Sequence, residues 1–379
     1  MTQMKKLILP IAILVLAVSC RERPEVVRDT IPLVKQIAAD TVGSFSLVRQ
    51  YGTAGTRGSI ALIGEPEECL VLAAEFLRAD DVDNIDGHPA QDRLPDFAGE
   101  SFEVFMDEYN APFDRMAESN PDSLREIAVK DALMALDTAA YVTAYDQSVR
   151  LRKQSAKVFV LASTLLQECG RFDIDTLFKM AGREALILTP PVAMVQEADR
   201  AGMAHVAVWA PSSAKPAYEA ARRGANADIA VLSPAGGDLR NGFRDLLRQY
   251  RTSHPNTLLD AVILDSFTAD LEELDAELTH IRRQITEEDA SFDRILSPDF
   301  RFIEPKKSLT SSCYRLLREH NLFTHNISYP SARYFVTEEG PDGDYLPVEI
   351  GKNYLSERVL DLVGPHSPAV LYFHVPDSD

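Results

Sequence analysis

Short apolar, β-branched runs recur along most of the chain, each followed by a polar or small residue and then an amphipathic stretch. Ser59 to Ile63 leads into Glu67 to Arg78, and Lys157 to Leu161 into a helix near Thr164 to Glu168. Ala185 to Leu188 leads through Thr189-Pro190-Pro191 into Val192 to Ala201, and His205 to Trp209 into Lys215 to Arg223. Asp228 to Leu232 precedes Asp238 to Tyr250, and Asp260 to Leu264 precedes Ala269 to Thr286. Near-continuous apolar strands alternating with helices predict parallel sheets covered on both faces, joined by right-handed crossovers. Leu62, Val160, Leu188, Val208, Val231 and Ile263 are the expected sheet core. Leu271, Leu274, Leu278, Ile281 and Ile285 form the stripe by which the last helix packs.

Two stretches break the rhythm. Residues 79–150 read as a long, acidic, strand-poor insertion, with turn signals at Asp86-Gly87 and Leu94-Pro95-Asp96 and a helix around Ser123 to Asp137. Residues 297–379 read as α+β. They show a helix near Thr310 to His320, then a hairpin of Arg333 to Thr337 and Tyr345 to Ile350 around Gly340 to Gly343, and a last strand at Ala369 to His374. The expected fold is α/β: two Rossmann-like lobes with mainly parallel sheets, plus a C-terminal α+β segment with a hairpin. The lobes are placed at 45–190, completed by 331–379, and at 191–330, after a tether and first helix at 20–44.

Residues 1–19 read differently. Lys5 and Lys6 precede an apolar run from Leu7 to Val18, too short for the roughly 20 residues that span a bilayer. Leu16-Ala17-Val18-Ser19-Cys20 then resembles the lipobox of bacterial lipoproteins. That resemblance implies a signal peptide cleaved before Cys20, lipid on Cys20, and a body tethered to a lipid bilayer in the bacterial envelope, on the outer-membrane or periplasmic side. An envelope protein partner would be compatible with that address.

Composition narrows the chemistry. The 379 residues carry 39 Lys plus Arg against 58 Asp plus Glu, a formal charge of −19, which excludes the basic face that nucleic acid requires. Four cysteines are too few for a disulfide scaffold, and no Cys/His spacing suggests a metal. Asp80 to Gly87 fails as a calcium loop, because the first and twelfth positions would fall on Val82 and Arg93. No cofactor or metal is expected.

In open parallel sheets, ligands bind at the carboxyl ends of the strands. The residues there are Glu65, Ser163, Thr164, Thr189, Ser212, Ser213, Ser233, Gly236, Gly237, Asp265 and Ser266, with Trp209 closing a strand. Most are also ordinary helix caps. Asp265 is the foremost candidate, since it follows a strand and stands ahead of its helix. The expected ligand-binding set is Asp265, Ser266, Ser212, Ser213, Ser163, Thr164, Trp209, Gly236 and Gly237, around a small polar ligand.

Residues 59–300, with the lipobox, resemble the two-lobed bodies of type I periplasmic solute-binding proteins. The resemblance implies a ligand held between lobes, and binding without catalysis. The stretch Val206 to Gly224 resembles the strand-to-helix passage of aspartate/glutamate racemases, implying instead a two-lobed α/β enzyme, racemase- or hydrolase-like, acting on a small carboxylate or sugar. Racemases need a cysteine at each of two strand ends. Here Cys69 and Cys169 fall inside the following helices, and Asp265-Ser266 stands where Cys-Thr-His is expected. A non-catalytic interaction lipoprotein is the remaining alternative.

Overall fold

A computed structural model describes residues 28–370, apart from 85–86, 236, 325, 352–354, 365–366 and 368. The lipobox and Cys20 lie outside the described residues, as does Gly236. Two short helices come first, α1 (Pro32–Ala39) and α2 (Ser44–Gln50). The first alternating set is β1 (Ser59–Gly64), α3 (Pro66–Arg78), β2 (Ser101–Met106), α4 (Phe113–Ser119) and α5 (Pro121–Leu136). It continues through β3 (Ala139–Tyr141), β4 (Arg150–Arg152), β5 (Ala156–Leu161), α6 (Thr164–Met180), β6 (Ile187–Leu188) and α7 (Pro190–Arg200). The second set is β7 (His205–Trp209), α8 (Lys215–Ala221), β8 (Asp228–Leu232), α9 (Leu239–Ser253) and β9 (Leu259–Leu264). It closes with α10 (Leu271–Arg282), α11 (Glu287–Asp293) and β10 (Leu296–Ile303). Helix α12 (Pro305–Glu319), the hairpin β11 (Ser331–Glu339) and β12 (Tyr345–Ile350), and α13 (Leu355–Val363) follow.

Two sheets result, and the fold is α/β with mainly parallel strands. The larger runs β4-β3-β12-β11-β2-β1-β5-β6 and the smaller β10-β9-β7-β8. In the first, β1 lies parallel to β2 and β5, and β11 lies parallel to β2 but antiparallel to β12. In the second, all pairs are parallel. Each sheet has a core cluster on both faces, as near-continuous apolar strands require. Helix α12 packs against α7 and α3 and so joins the lobes.

Leu62, Val160, Leu188, Val208 and Ile263 are buried as expected. Val231 is only half-buried, because β8 is the edge strand of its sheet. The insertion at 79–150 is not strand-poor: Ser101–Met106 is an interior strand. Its register puts Glu103 in the sheet, where Lys153 meets the carboxylate at 3.4 Å; a second buried pair, Glu100–Lys157, closes at 2.7 Å. A charge inside an apolar run hides a strand unless its partner is known. The apolar stripe also stops early, since α10 ends at Arg282 and Ile285 is exposed. The expected last strand lies mostly outside the described residues; Ala369 and Val370 are helical.

Helices α5 and α6 approach closely at a glycine. A Cβ built on Gly170 would lie 2.0 Å from the Cβ of Ala128. Alanine is the better helix former by about 1 kcal/mol, but overpacking a dense core costs about 1–3 kcal/mol. Gly170→Ala is therefore expected to lower the denaturant midpoint; a raised midpoint would show that the helices part freely.

Candidate active site

The carboxyl ends of β1, β2, β5 and β9 converge where the lobes meet. Asp265, just past β9, has its backbone N–H on the Trp209 carbonyl at 3.0 Å. Its Oδ1 accepts the Thr164 hydroxyl at 2.6 Å and the Tyr218 hydroxyl at 2.8 Å. Thr164 opens α6 in the first lobe and Tyr218 lies on α8 in the second, so one carboxylate oxygen ties the lobes together. Among the described residues no hydrogen bond falls on Oδ2. Burial raises the Asp265 carboxyl above its ordinary value, and the two hydroxyl donors pull it back part of the way. Tyr218, fully buried and facing that carboxylate, is pushed well up.

Across the crest stands a carboxyl that the sequence reading missed. Glu68, in the first turn of α3, carries a solvent-excluded Oε2 without a partner. Burial, then repulsion from Glu65, Asp265 and Glu67, drives its carboxyl well above the usual range. Glu65 is raised by burial while its Oε1 accepts the Phe113 N–H at 2.6 Å. Asp107, past β2, accepts Thr337 at 2.6 Å and the side-chain amide of Asn110, and is raised by burial. A signal for Glu68 existed: residues three and four positions on, Val71 and Leu72, are apolar and buried, so an acid sharing that face is drawn inward.

The other expected residues are scattered. Ser163 caps α6, its Oγ accepting the Leu165 N–H at 3.3 Å. The Ser266 hydroxyl accepts the Thr268 N–H at 3.3 Å. Ser212, Ser213 and Gly237 are exposed on loops of the second lobe, and among the described residues none bonds to Asp265. Trp209 packs on α9: a Cβ at Gly242 would lie 2.4 Å from its ring. The buried Thr189 hydroxyl has no partner. Thr164 and Asp265 are thus the members of the set that meet directly.

Cys69, Cys169 and Cys313 are free and buried. Burial pushes the Cys169 thiol up to about 11, and Cys69 goes well above its usual range through burial and the charge of Glu68. These thiols stay protonated at neutral pH, whereas a nucleophile or proton-abstracting base must be a thiolate. No group of three or more His, Cys, Asp or Glu among the described residues could hold a metal ion. A cavity of about 580 Å³ lined by Asn84, Asp96, Tyr314, Arg318 and Phe323 lies at the opposite, amino end of the strands, away from this chemistry.

The raised acids give stability a definite slope with pH. Glu65, Glu68, Asp107 and Asp265 have folded values above the ordinary 4.5 of a glutamate and 3.8 of an aspartate. Their contribution is full below those unfolded values and is lost as pH rises through the folded ones. Lowered carboxyls such as Asp238 and Glu288 act oppositely, losing stability only as pH falls through their depressed values. The melting temperature is therefore expected to rise as pH is lowered from 8 toward 5. Glu68→Gln, neutral throughout, should flatten that rise; parallel curves for the two proteins would place Glu68 outside the effect.

No protein-family model matches the chain, and no curated protein matches it. Among solved structures, it is similar to glutamate racemase from Francisella tularensis subsp. tularensis SCHU S4 in complex with D-glutamate. The identity is 15%, over 76% of this chain and 91% of that one, with a TM-score of 0.45. It is also similar to a glutamate racemase isoform from Bacillus anthracis, at 11% identity over 82% and 95%, TM-score 0.47. A third is an Asp/Glu racemase of Yersinia pestis, described there as putative, at 10% identity over 68% and 98%, TM-score 0.39. These structures are racemases and not solute-binding proteins, and no helix among the described residues is long and apolar enough to cross a membrane. The expectation of a solute-binding protein is corrected accordingly. At the crest, protein hydroxyls from both lobes already occupy Oδ1 of Asp265, which leaves Oδ2 as the oxygen open to another partner.

Proposed function

We propose that this chain is a two-lobed α/β enzyme using general acid–base catalysis at the lobe interface, hydrolase-like, on a small hydroxyl-bearing substrate that is not anionic. One observation carries the reading: two carboxyls share the crest in environments that separate their protonation. Glu68 has burial and like charge against its ionised form and no described donor in its favour. Asp265 has two hydroxyl donors supporting its ionised form. Such a divided pair supplies an acid and a base at one pH. Glu68 protonates the leaving oxygen, and the Oδ2 of Asp265 takes a proton from water, while Thr164 and Tyr218 fix its plane. Thiol chemistry of the racemase kind has no support, because the strand-end positions hold Ala162 and Asp265 and the cysteines are buried and protonated. A substrate carboxylate is disfavoured too, since the charges acting on Glu65 and Glu68 among the described residues are all acidic.

Release of nitrophenol from nitrophenyl glycosides of glucose, glucosamine and glucuronic acid tests this. Turnover of the neutral or amino glycoside, absent from the glucuronide, is expected. No turnover of any of them, or an equal rate on the glucuronide, would overturn the reading.

A further inference from the structure

Resting on that reading of the crest as a catalytic site, we propose that the lobes open and close over it at the seam between α6 and α8, with the Asp265–Thr164 hydrogen bond as the latch. The acid and the base stand on different lobes, Glu68 on α3 and Asp265 just past β9. A substrate that touches both enters between lobes that are tied together beside it. At that seam the side chains are closed to solvent: Ala217 and Tyr218 are 0% exposed, Thr164 7% and Gln167 8%. Among the described residues two hydrogen bonds cross it. Thr164 donates to Oδ1 of Asp265 at 2.6 Å, and the Gln167 side-chain amide reaches the Ala217 carbonyl at 3.5 Å, the far limit of such a bond. Oε1 of the same Gln167 is solvent-excluded and has no partner there. The closed seam therefore sets one charge-assisted bond against one acceptor that has lost its water. Opening reverses both effects, and two arrangements so nearly balanced make a gate.

The second seam between the lobes is built to stay. Helix α7 belongs to both cores: Ala193 lies in the larger sheet's cluster with Leu309 and Cys313 of α12, while Met194, Val195 and Ala198 lie in the smaller sheet's. Ser308 of α12 also donates to the Glu197 carboxylate of α7. The chain passes between the lobes twice, from α7 into β7 and from β10 into α12, so both crossings involve this helix pair. Phe267, two residues past Asp265, is buried in the cluster that holds Leu309. Parting the lobes here breaks apolar packing, whereas parting them at α6 and α8 breaks a few polar contacts. The motion is a hinge about α7 and α12.

Spin-label distances on the whole chain test this. The labels go on Met180→Cys of α6 and Lys215→Cys of α8, both exposed, in a Cys20→Ser background; Cys69, Cys169 and Cys313 are buried and stay unlabelled. A major short distance and a minor long one are expected. Thr164→Val, which removes the latch, should raise the long-to-short ratio about tenfold or more, the worth of one charge-assisted hydrogen bond. Gln167→Met added to it keeps the bulk, removes the orphaned acceptor, and should bring the ratio back down. A single unchanged distance in Thr164→Val, or a ratio that Gln167→Met leaves or raises, would overturn the proposal. The distances are read without substrate, so they stand apart from the acid–base function, whose own failure shows as absent glycoside turnover.

Discussion

Replacing Asp265 by Asn is expected to lower turnover by about 10²- to 10⁴-fold, the usual worth of a positioned general base. The substitution keeps the shape, and the amide oxygen still accepts from Thr164 and Tyr218, which donate at 2.6 and 2.8 Å. What disappears is the proton-accepting oxygen. The melting temperature at pH 7 should therefore change little or rise, since a carboxylate that burial disfavours has been neutralised. Initial rates and thermal unfolding on the same preparation check this. Undiminished turnover would reduce Asp265 to a tie between the lobes.

A second large effect is expected far from the crest, at Asp173. This carboxylate is 0% exposed and takes a two-pronged contact from Arg125, with Nε at 2.7 Å and Nη2 at 3.0 Å. It also accepts the Ile31 N–H at 3.1 Å, while Arg125 reaches the Asp29 carbonyl. The pair thus pins the segment leading into α1 onto α5 and α6. Asp173→Ala leaves the Arg125 guanidinium with only the exposed Asp122 at 2.9 Å and the Asp29 carbonyl, so a loss of about 3 kcal/mol is expected, the low end for removing one partner of a buried ion pair. Urea unfolding should show the midpoint falling with the slope unchanged. Asp173→Asn, which retains an acceptor for Ile31, should lose less; equal losses would mean that the charge is immaterial.

The alternation of strand and helix was legible where burial is unbroken. His205 to Trp209 and Asp228 to Leu232 have the predicted bounds, because both are short runs between clear caps. Where a charge enters the sheet, the pattern fails. Glu103 split the run of β2, and only the fold brings Lys153 to it from fifty residues away. Pro298 likewise concealed β10, whose pairing with β9 shifts register between Leu296 and Arg301. At the site, Asp265 and Thr164 stood out because both follow strands. Tyr218 and Glu68 did not: each sits on a helix, where a phenol reads as core and an acid as a first-turn residue suited to the helix dipole. Their roles depend on which lobe faces which, and no local pattern encodes that.

The strand order of the larger sheet bears on how the chain can be made. Strand β11, between β2 and β12, comes from residues 331–339, whereas its neighbour β2 is finished by residue 106. The smaller sheet is contiguous, from 205 to 303. A chain leaving the ribosome therefore completes its second lobe while the first still waits for a central strand. Throughout that interval β2 presents an open, apolar edge, the kind that pairs with another nascent chain. The buried Glu103 beside that edge is a charge without its final surroundings until the hairpin arrives, and it makes wrong partners there costly.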